Sequence, residues 1–140
     1  MRKEDVSMKM KYYINKEKRT VVCVGNNCEN DALTTVTKRD GTLAIAARYL
    51  MDRRGKKVWM KNRFVGKAYC AEDDEWDEEI GKSLAKERML NAYVLAKVKK
   101  MNEITYTLYE AAAECQEVVT HYEDKVNKVV GYSLFDEVYG

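Results

Sequence analysis

Between Lys82 and Val130 the chain runs for roughly fifty residues with no glycine and no proline, in a stretch rich in alanine, leucine, lysine and glutamate. Proline and glycine are the residues that end helices, so a run without them commits this half of the chain to helix. Asp77 can cap its start, and Glu78 and Glu79 place carboxylates in the first turn, where the helix dipole favours them. As one helix such a run would extend about 75 Å at about 1.5 Å per residue, too long for a compact domain of this size. The expectation is therefore two helices, broken near Lys99 to Asn102, where Asn102 can cap the second. In that second helix Ile104, Leu108, Ala111, Cys115, Val118, Tyr122, Val126 and Val129 recur at spacings of four and three, the pattern of a heptad seam. Ala111 and Cys115 are small enough to let a partner helix approach closely, in an internal hairpin or in a second subunit. Met89, Leu90, Tyr93, Val94, Leu95 and Val98 wrap more than half of the first helix, more than one packed face needs, which argues for a homo-oligomer.

Upstream the periodicity changes. Tyr12, Tyr13 and Ile14, then Val21, Val22 and Val24 beyond the polar turn Asn15 to Lys18, are the aromatic and β-branched types that suit a pleated surface; they predict a hairpin of Lys11–Ile14 and Thr20–Gly25. Residues 26–40 fit a short helix or a strand. Leu43, Ala44, Ala46, Ala47, Leu50 and Met51 predict a helix from Thr42 to Arg54, with Gly55 where a C-terminal cap belongs. Val58, Trp59 and Met60, then Phe64 to Cys70, predict one or two further strands, with Gly66 marking a bulge or the close approach of another backbone. The expected class is α+β: a small antiparallel N-terminal sheet followed by two long C-terminal helices that form a helical hairpin or an oligomer seam. One domain is expected over residues 1–140, with 1–8 flexible, 9–70 sheet-rich and 77–130 helical.

The chain of 140 residues is 46% hydrophobic and 34% charged, without any run near the roughly 20 apolar residues of a membrane span. Met1 to Lys11 lack an apolar core, so no secretory signal is expected and the cytoplasm is the expected compartment. Cys23, Cys28, Cys70 and Cys115 are irregularly spaced and read as free thiols; with a single histidine, His121, no metal site and no cofactor are expected. Nucleophilic catalysis needs a base held beside a nucleophile, and seven scattered glycines make no phosphate-cradling loop, so no catalytic residue and no enzyme are expected. The net charge of +2 hides an asymmetry: ten basic residues lie between Lys38 and Lys67 against Asp40 and Asp52, and Glu72 to Glu79 holds seven carboxylates. Such neighbours suggest an anion site, self-association through complementary patches, or two solvated surface segments. Arg48, Arg53, Arg54, Arg63 and Arg88 suit phosphates, and Trp59, Phe64 and Trp76 suit stacking on a nucleobase, although each aromatic also suits a core. One function these residues allow is nucleic-acid binding or regulation through the basic stretch 38–67.

The stretch Gly66-Lys-Ala-Tyr-Cys-Ala-Glu-Asp-Asp-Glu-Trp-Asp-Glu-Glu-Ile-Gly-Lys-Ser-Leu-Ala-Lys-Glu-Arg88, with the opening Lys-Tyr-Tyr-Ile-Asn-Lys-Glu-Lys-Arg-Thr-Val-Val hairpin, resembles the phage anti-Thoeris proteins of the first type over about half the chain. The resemblance implies a signal sponge. Such proteins sequester cyclic ADP-ribose isomers made by the Thoeris immune sensor without degrading them, assemble as dimers and higher oligomers such as hexamers, and in some members hold cyclic oligonucleotides of another defence system, CBASS, at a separate site. The chain departs from that pattern at Trp76, where phenylalanine is expected, and in the segment 26–57, which looks like an insertion. Around the motif, Arg63, Lys67, Trp76, Lys86, Arg88 and Asn91 are the candidates for holding a glycocyclic ADP-ribose: cations for its pyrophosphate, a stacking face for its adenine, an amide or carboxylate for its ribose hydroxyls.

Overall fold

The computed structural model describes residues 8–139, with side chains through residue 128. Its elements are β1 (Met8–Asn15), β2 (Thr20–Asn27), α1 (Thr34–Arg39), α2 (Gly41–Arg53), β3 (Arg63–Tyr69) and α3 (Glu78–Tyr139). The three strands form one antiparallel sheet in the order β1-β2-β3. The chain divides into two compact units, Met1–Ile104 and Thr105–Gly140, with the boundary inside α3. No helix among the described residues is long and apolar enough to cross a membrane.

The α+β class and the small N-terminal antiparallel sheet are as expected. The helical half differs: residues 99–102 do not break it, and one helix runs from Glu78 to Tyr139. The expected break rested on the compactness of a single domain. Asn102 is only a mild helix destabiliser, and nothing else at Lys99 to Asn102 interrupts the hydrogen-bond ladder. An internal hairpin along the seam is therefore ruled out. Ile104 is buried and Leu108 and Ala111 half-buried, whereas Cys115, Val118, Tyr122 and Val126 are exposed; the side chain of Val129, and residues 1–7 of the segment expected to be flexible, lie outside the described set.

In the first unit, alternation sets which side of each strand is covered. Register pairs Met10 with Gly25, Tyr12 with Cys23 and Ile14 with Val21, and Gly25 with Phe64, Cys23 with Gly66 and Val21 with Ala68. These residues share one face. The start of α3 lies on it: a Cβ added to Gly66 would stand 2.0 Å from the Ala85 carbonyl oxygen and 2.3 Å from the Met89 nitrogen, one added to Gly81 2.7 Å from Val21 Cγ2, and one added to Gly25 2.6 Å from Met89 Sδ. Gly66 thus marks the close approach of another backbone, with no bulge in the β2–β3 ladder. Phe64 and Met89 are almost wholly buried, each worth about 1.5–3 kcal/mol of transfer free energy, and Phe64 meets Tyr93 edge to face at 5.4 Å. The opposite face carries Lys9, Lys11, Tyr13, Arg63, Val65, Lys67 and Tyr69.

Asp40 starts α2 by accepting a hydrogen bond from the Leu43 amide at 3.1 Å. Gly55, at φ +66, follows its end in the left-handed conformation that glycine adopts without strain. The ambiguous segment 26–40 resolves into the end of β2, an antiparallel bridge between Asp31 and Trp59, and α1. That bridge continues with amide-to-carbonyl bonds from Ala32 to Val58 and from Met60 to Asn30, so Val58 and Met60 are buried while Trp59, between them, points out.

Candidate ligand-binding site

The end of the β2–β3 ladder, where Thr20 pairs with Tyr69, is closed by Arg19. This residue sits in the hairpin turn at φ 51, a left-handed conformation that costs a non-glycine residue about 1–2 kcal/mol. Its side chain offsets that cost. Nε donates to the Cys70 carbonyl at 3.2 Å, and Nη2 donates to the Ala71 carbonyl at 3.0 Å and to the Asp74 carbonyl. Nη2 also lies 3.1 Å from Cys70 Sγ, while the Cys70 amide returns a bond to the Arg19 carbonyl at 2.8 Å. One guanidinium thereby folds the segment from Cys70 to Asp74 back on itself. Asp77 then caps α3, its Oδ1 accepting from the Glu79 and Ile80 amides at 3.0 and 3.2 Å.

Between this loop, the strand ends and the first two turns of α3 lies a cavity of about 300 Å³. Val21 packs against Gly81, Ala68, Trp76, Ile80 and Leu84 supply apolar lining, Tyr69 borders the cavity at the end of β3, and the acidic residues Asp74, Glu75 and Asp77 complete it. Ile80 is 59% exposed, a cost in free energy that an occupant would relieve. Electrostatically the cavity favours hydroxyls, amines and an aromatic ring over a phosphate, since its one guanidinium is taken up by carbonyls.

Of the six residues expected to hold a ligand, only Trp76 lines this cavity. Arg88 lies beside it, one turn beyond Leu84, and its Nη1 donates to the Lys67 carbonyl at 2.7 Å on the open edge of β3; Lys67 enters by its backbone, with its side chain on the sheet face away from α3. Arg63 lies at the far end of β3, six residues and about 20 Å from Tyr69 at 3.3 Å per residue. Lys86 is on the other flank of α3, close enough to Cys23 to favour its thiolate, beside Lys82, whose ammonium stands 5.9 Å from the Tyr12 ring. Asn91 is exposed on α3 and lines none of the cavities described here. Of the six, then, Trp76 alone lines the cavity, Arg88 and Lys67 meet through the Lys67 carbonyl, and Arg63, Lys86 and Asn91 lie apart. Arg19, Tyr69, Ile80 and Leu84 were missed by sequence reasoning; the i, i+4, i+8 row Ile80, Leu84, Arg88 was the available signal, because such a row lies on one side of a helix.

Elsewhere in the first unit, Tyr12 and Cys23 face each other across β1 and β2. Burial pushes the Cys23 thiol above its ordinary value of 9.0, and burial together with the neighbouring thiol pushes the Tyr12 hydroxyl above 10.0.

No protein-family model, no curated protein and no solved structure matches the chain.

Proposed function

We propose that this protein binds and sequesters a cyclic ADP-ribose immune signal without degrading it, and so inhibits bacterial Thoeris anti-phage defence from within the host cytoplasm. The observation that carries this reading is the cavity of about 300 Å³ built by the residues of the motif itself, from Ala68 through Asp77 to Leu84. That volume is at the lower end for small-molecule sites, so the adenosine end of the ligand enters and the pyrophosphate stays at the rim. The adenine stacks on Trp76 beside Ile80, a ribose hydroxyl donates to Asp74 or Glu75, and Arg88 meets the pyrophosphate. The exposed row Cys115, Val118, Tyr122 and Val126 joins copies into a homodimer or a higher homo-oligomer such as a hexamer. A cyclic oligonucleotide at a separate site is a further role that the resemblance suggests.

The test is isothermal titration of the purified protein with glycocyclic ADP-ribose, then heating and mass analysis of what is released. Saturable binding with unchanged mass on release, weakened in Trp76→Ala and Arg88→Ala, is the expected result. Hydrolysed ligand, or no heat with any cyclic ADP-ribose isomer, refutes it.

A further inference from the structure

Trp59 is the most conspicuous side chain that the preceding site leaves unused. Its neighbours Val58 and Met60 are buried, its backbone is held in the bridge to Asp31, and the residue is 54% exposed. A large apolar ring held in water by a rigid, strand-like backbone carries an unfavourable hydration free energy that no packing offsets. A cavity opens on each side of it. One, of about 520 Å³ between α2 and the segment that leads into Trp59, is lined by Tyr49, itself 62% exposed, and by Arg48, Lys56 and Lys57 against Asp52. The other, of about 320 Å³ between Trp59 and α3, is lined by Lys61, Lys99 and Lys100 against Glu103.

The charge on this surface exceeds what the fold consumes. Arg48 pairs with Asp31 at 2.5 Å, and Lys100 is divided between Glu103 at 3.2 Å and the Lys57 carbonyl at 2.9 Å. Lys61 lies over the Phe64 ring at 5.0 Å and makes no ion pair among the described residues. Lys57 and Lys99 likewise make no ion pair among the described residues. Cations flanking an exposed indole on two sides, with a second exposed ring nearby, make a stacking platform with backbone-neutralising groups before and after the stacked base. A duplex hides its base faces and cannot use such a platform; a single strand can.

We infer that Trp59 and the two lysine-lined cavities beside it form a binding platform for a short single-stranded nucleic acid, with one base stacked on Trp59, a second on Tyr49 and phosphates at Lys57, Lys61 and Lys99. The platform shares no lining residue with the cavity at Trp76, so a failed titration with cyclic ADP-ribose leaves it standing. The chemistry fits DNA or RNA, because stacking and phosphate contacts read neither the sugar nor the sequence.

The chain has two tryptophans, so Trp76→Phe leaves Trp59 as the only one. In that protein, indole fluorescence is followed during titration with an oligothymidylate of about eight nucleotides, within the usual site-size range. Quenching is expected, with affinity falling about 20-fold between 50 and 200 mM salt if about three phosphates are neutralised. In the otherwise native chain, Trp59→Ala weakens binding by about five- to a hundredfold, and Trp59→Phe restores most of it; Lys61→Glu with Lys99→Glu flattens the salt dependence. The Trp59 variants are compared only after their melting temperatures match the parent, which the outward side chain permits. An unquenched titration, an affinity indifferent to Trp59→Ala, or a duplex of the same length bound as tightly as the single strand overturns the inference.

Discussion

Replacing Gly66 by alanine tests whether the start of α3 is seated on the sheet as described. The new Cβ would lie 2.0 Å from the Ala85 carbonyl oxygen and 2.3 Å from the Met89 nitrogen, whereas ordinary van der Waals contact begins near 3.4 Å. Both obstacles are main chain and cannot swing aside like a flexible side chain. The helix would have to lift by about 1 Å over a full turn, loosening Met89 and Phe64 with it; overpacking of this kind costs about 1–3 kcal/mol, and a main-chain obstacle places Gly66→Ala at the upper end. For a chain of this size about 3 kcal/mol lowers the melting temperature by about 10 °C. Gly41→Ala is the internal control, since its Cβ meets nothing within 4 Å and alanine is the better helix former at the start of α2. Urea unfolding followed by far-ultraviolet circular dichroism should give a lowered midpoint at unchanged slope for Gly66→Ala, and a midpoint at or slightly above the parent for Gly41→Ala. A Gly66→Ala protein within about 0.5 kcal/mol of the parent, the scatter of ordinary surface substitutions, would refute the packing argument.

Arg19→Met removes the guanidinium from the Cys70, Ala71 and Asp74 carbonyls while keeping the left-handed backbone; about 1–2 kcal/mol of stability should go, with faster amide exchange over residues 70–77, and Arg19→Gly should recover about 1 kcal/mol by relieving the backbone. Equal stability of parent and Arg19→Met would remove the clasp from the account. The raised Cys23 and Tyr12 values make a high-pH prediction: both groups keep their protons longer in the folded state than in the unfolded one, so stability is whole below 9.0 and falls as pH rises through 9.0 and 10.0. The urea midpoint should decline over that window, and Cys23→Ala should delay the onset of the decline towards 10.0; a midpoint that rises with pH there contradicts the sign. Val118→Asp with Tyr122→Asp places two charges on the exposed row of α3, and sedimentation equilibrium should show the assembly shift toward monomer; a parent protein already monomeric at micromolar concentration excludes that row as a self-association surface.

The hairpin, α2 and β3 could be read from the sequence because each is a local pattern: aromatic and β-branched residues at Tyr12 to Ile14 and at Val21, Val22 and Val24, helix formers between Asp40 and Gly55, a lone glycine inside a strand. Ends shifted by one to three residues, where β1 gained Met8 to Met10 and β2 gained Asn26 and Asn27. The helix break failed for a different reason. It was inferred from an assumed overall size, and the residues at 99–102 contain nothing that ends a helix. The candidate site was legible where it is contiguous in sequence, at Trp76 and along the row to Arg88. It was illegible at Arg19, whose role depends on carbonyls more than fifty residues away. Lys86 and Arg88 were grouped by proximity in sequence, yet residues two apart on a helix project about 200° from each other and cannot serve one pocket.

The strand register also fixes an order of events during folding. The β1–β2 hairpin closes over the turn Lys16 to Arg19 alone, but the β2–β3 ladder, whose nearest rung is Asn26 with Arg63, must close a loop of roughly 36 residues, an additional entropic cost of about 2 kcal/mol. The hairpin can form in microseconds by itself, while β3 gains its partner only once α2 and the bridge at Trp59 have shortened the intervening chain. Since the chain has no proline, no prolyl isomerisation adds a slow refolding phase. The start of α3, whose seat on the sheet is Gly66 of the last strand to dock, is then the step that locks the sheet.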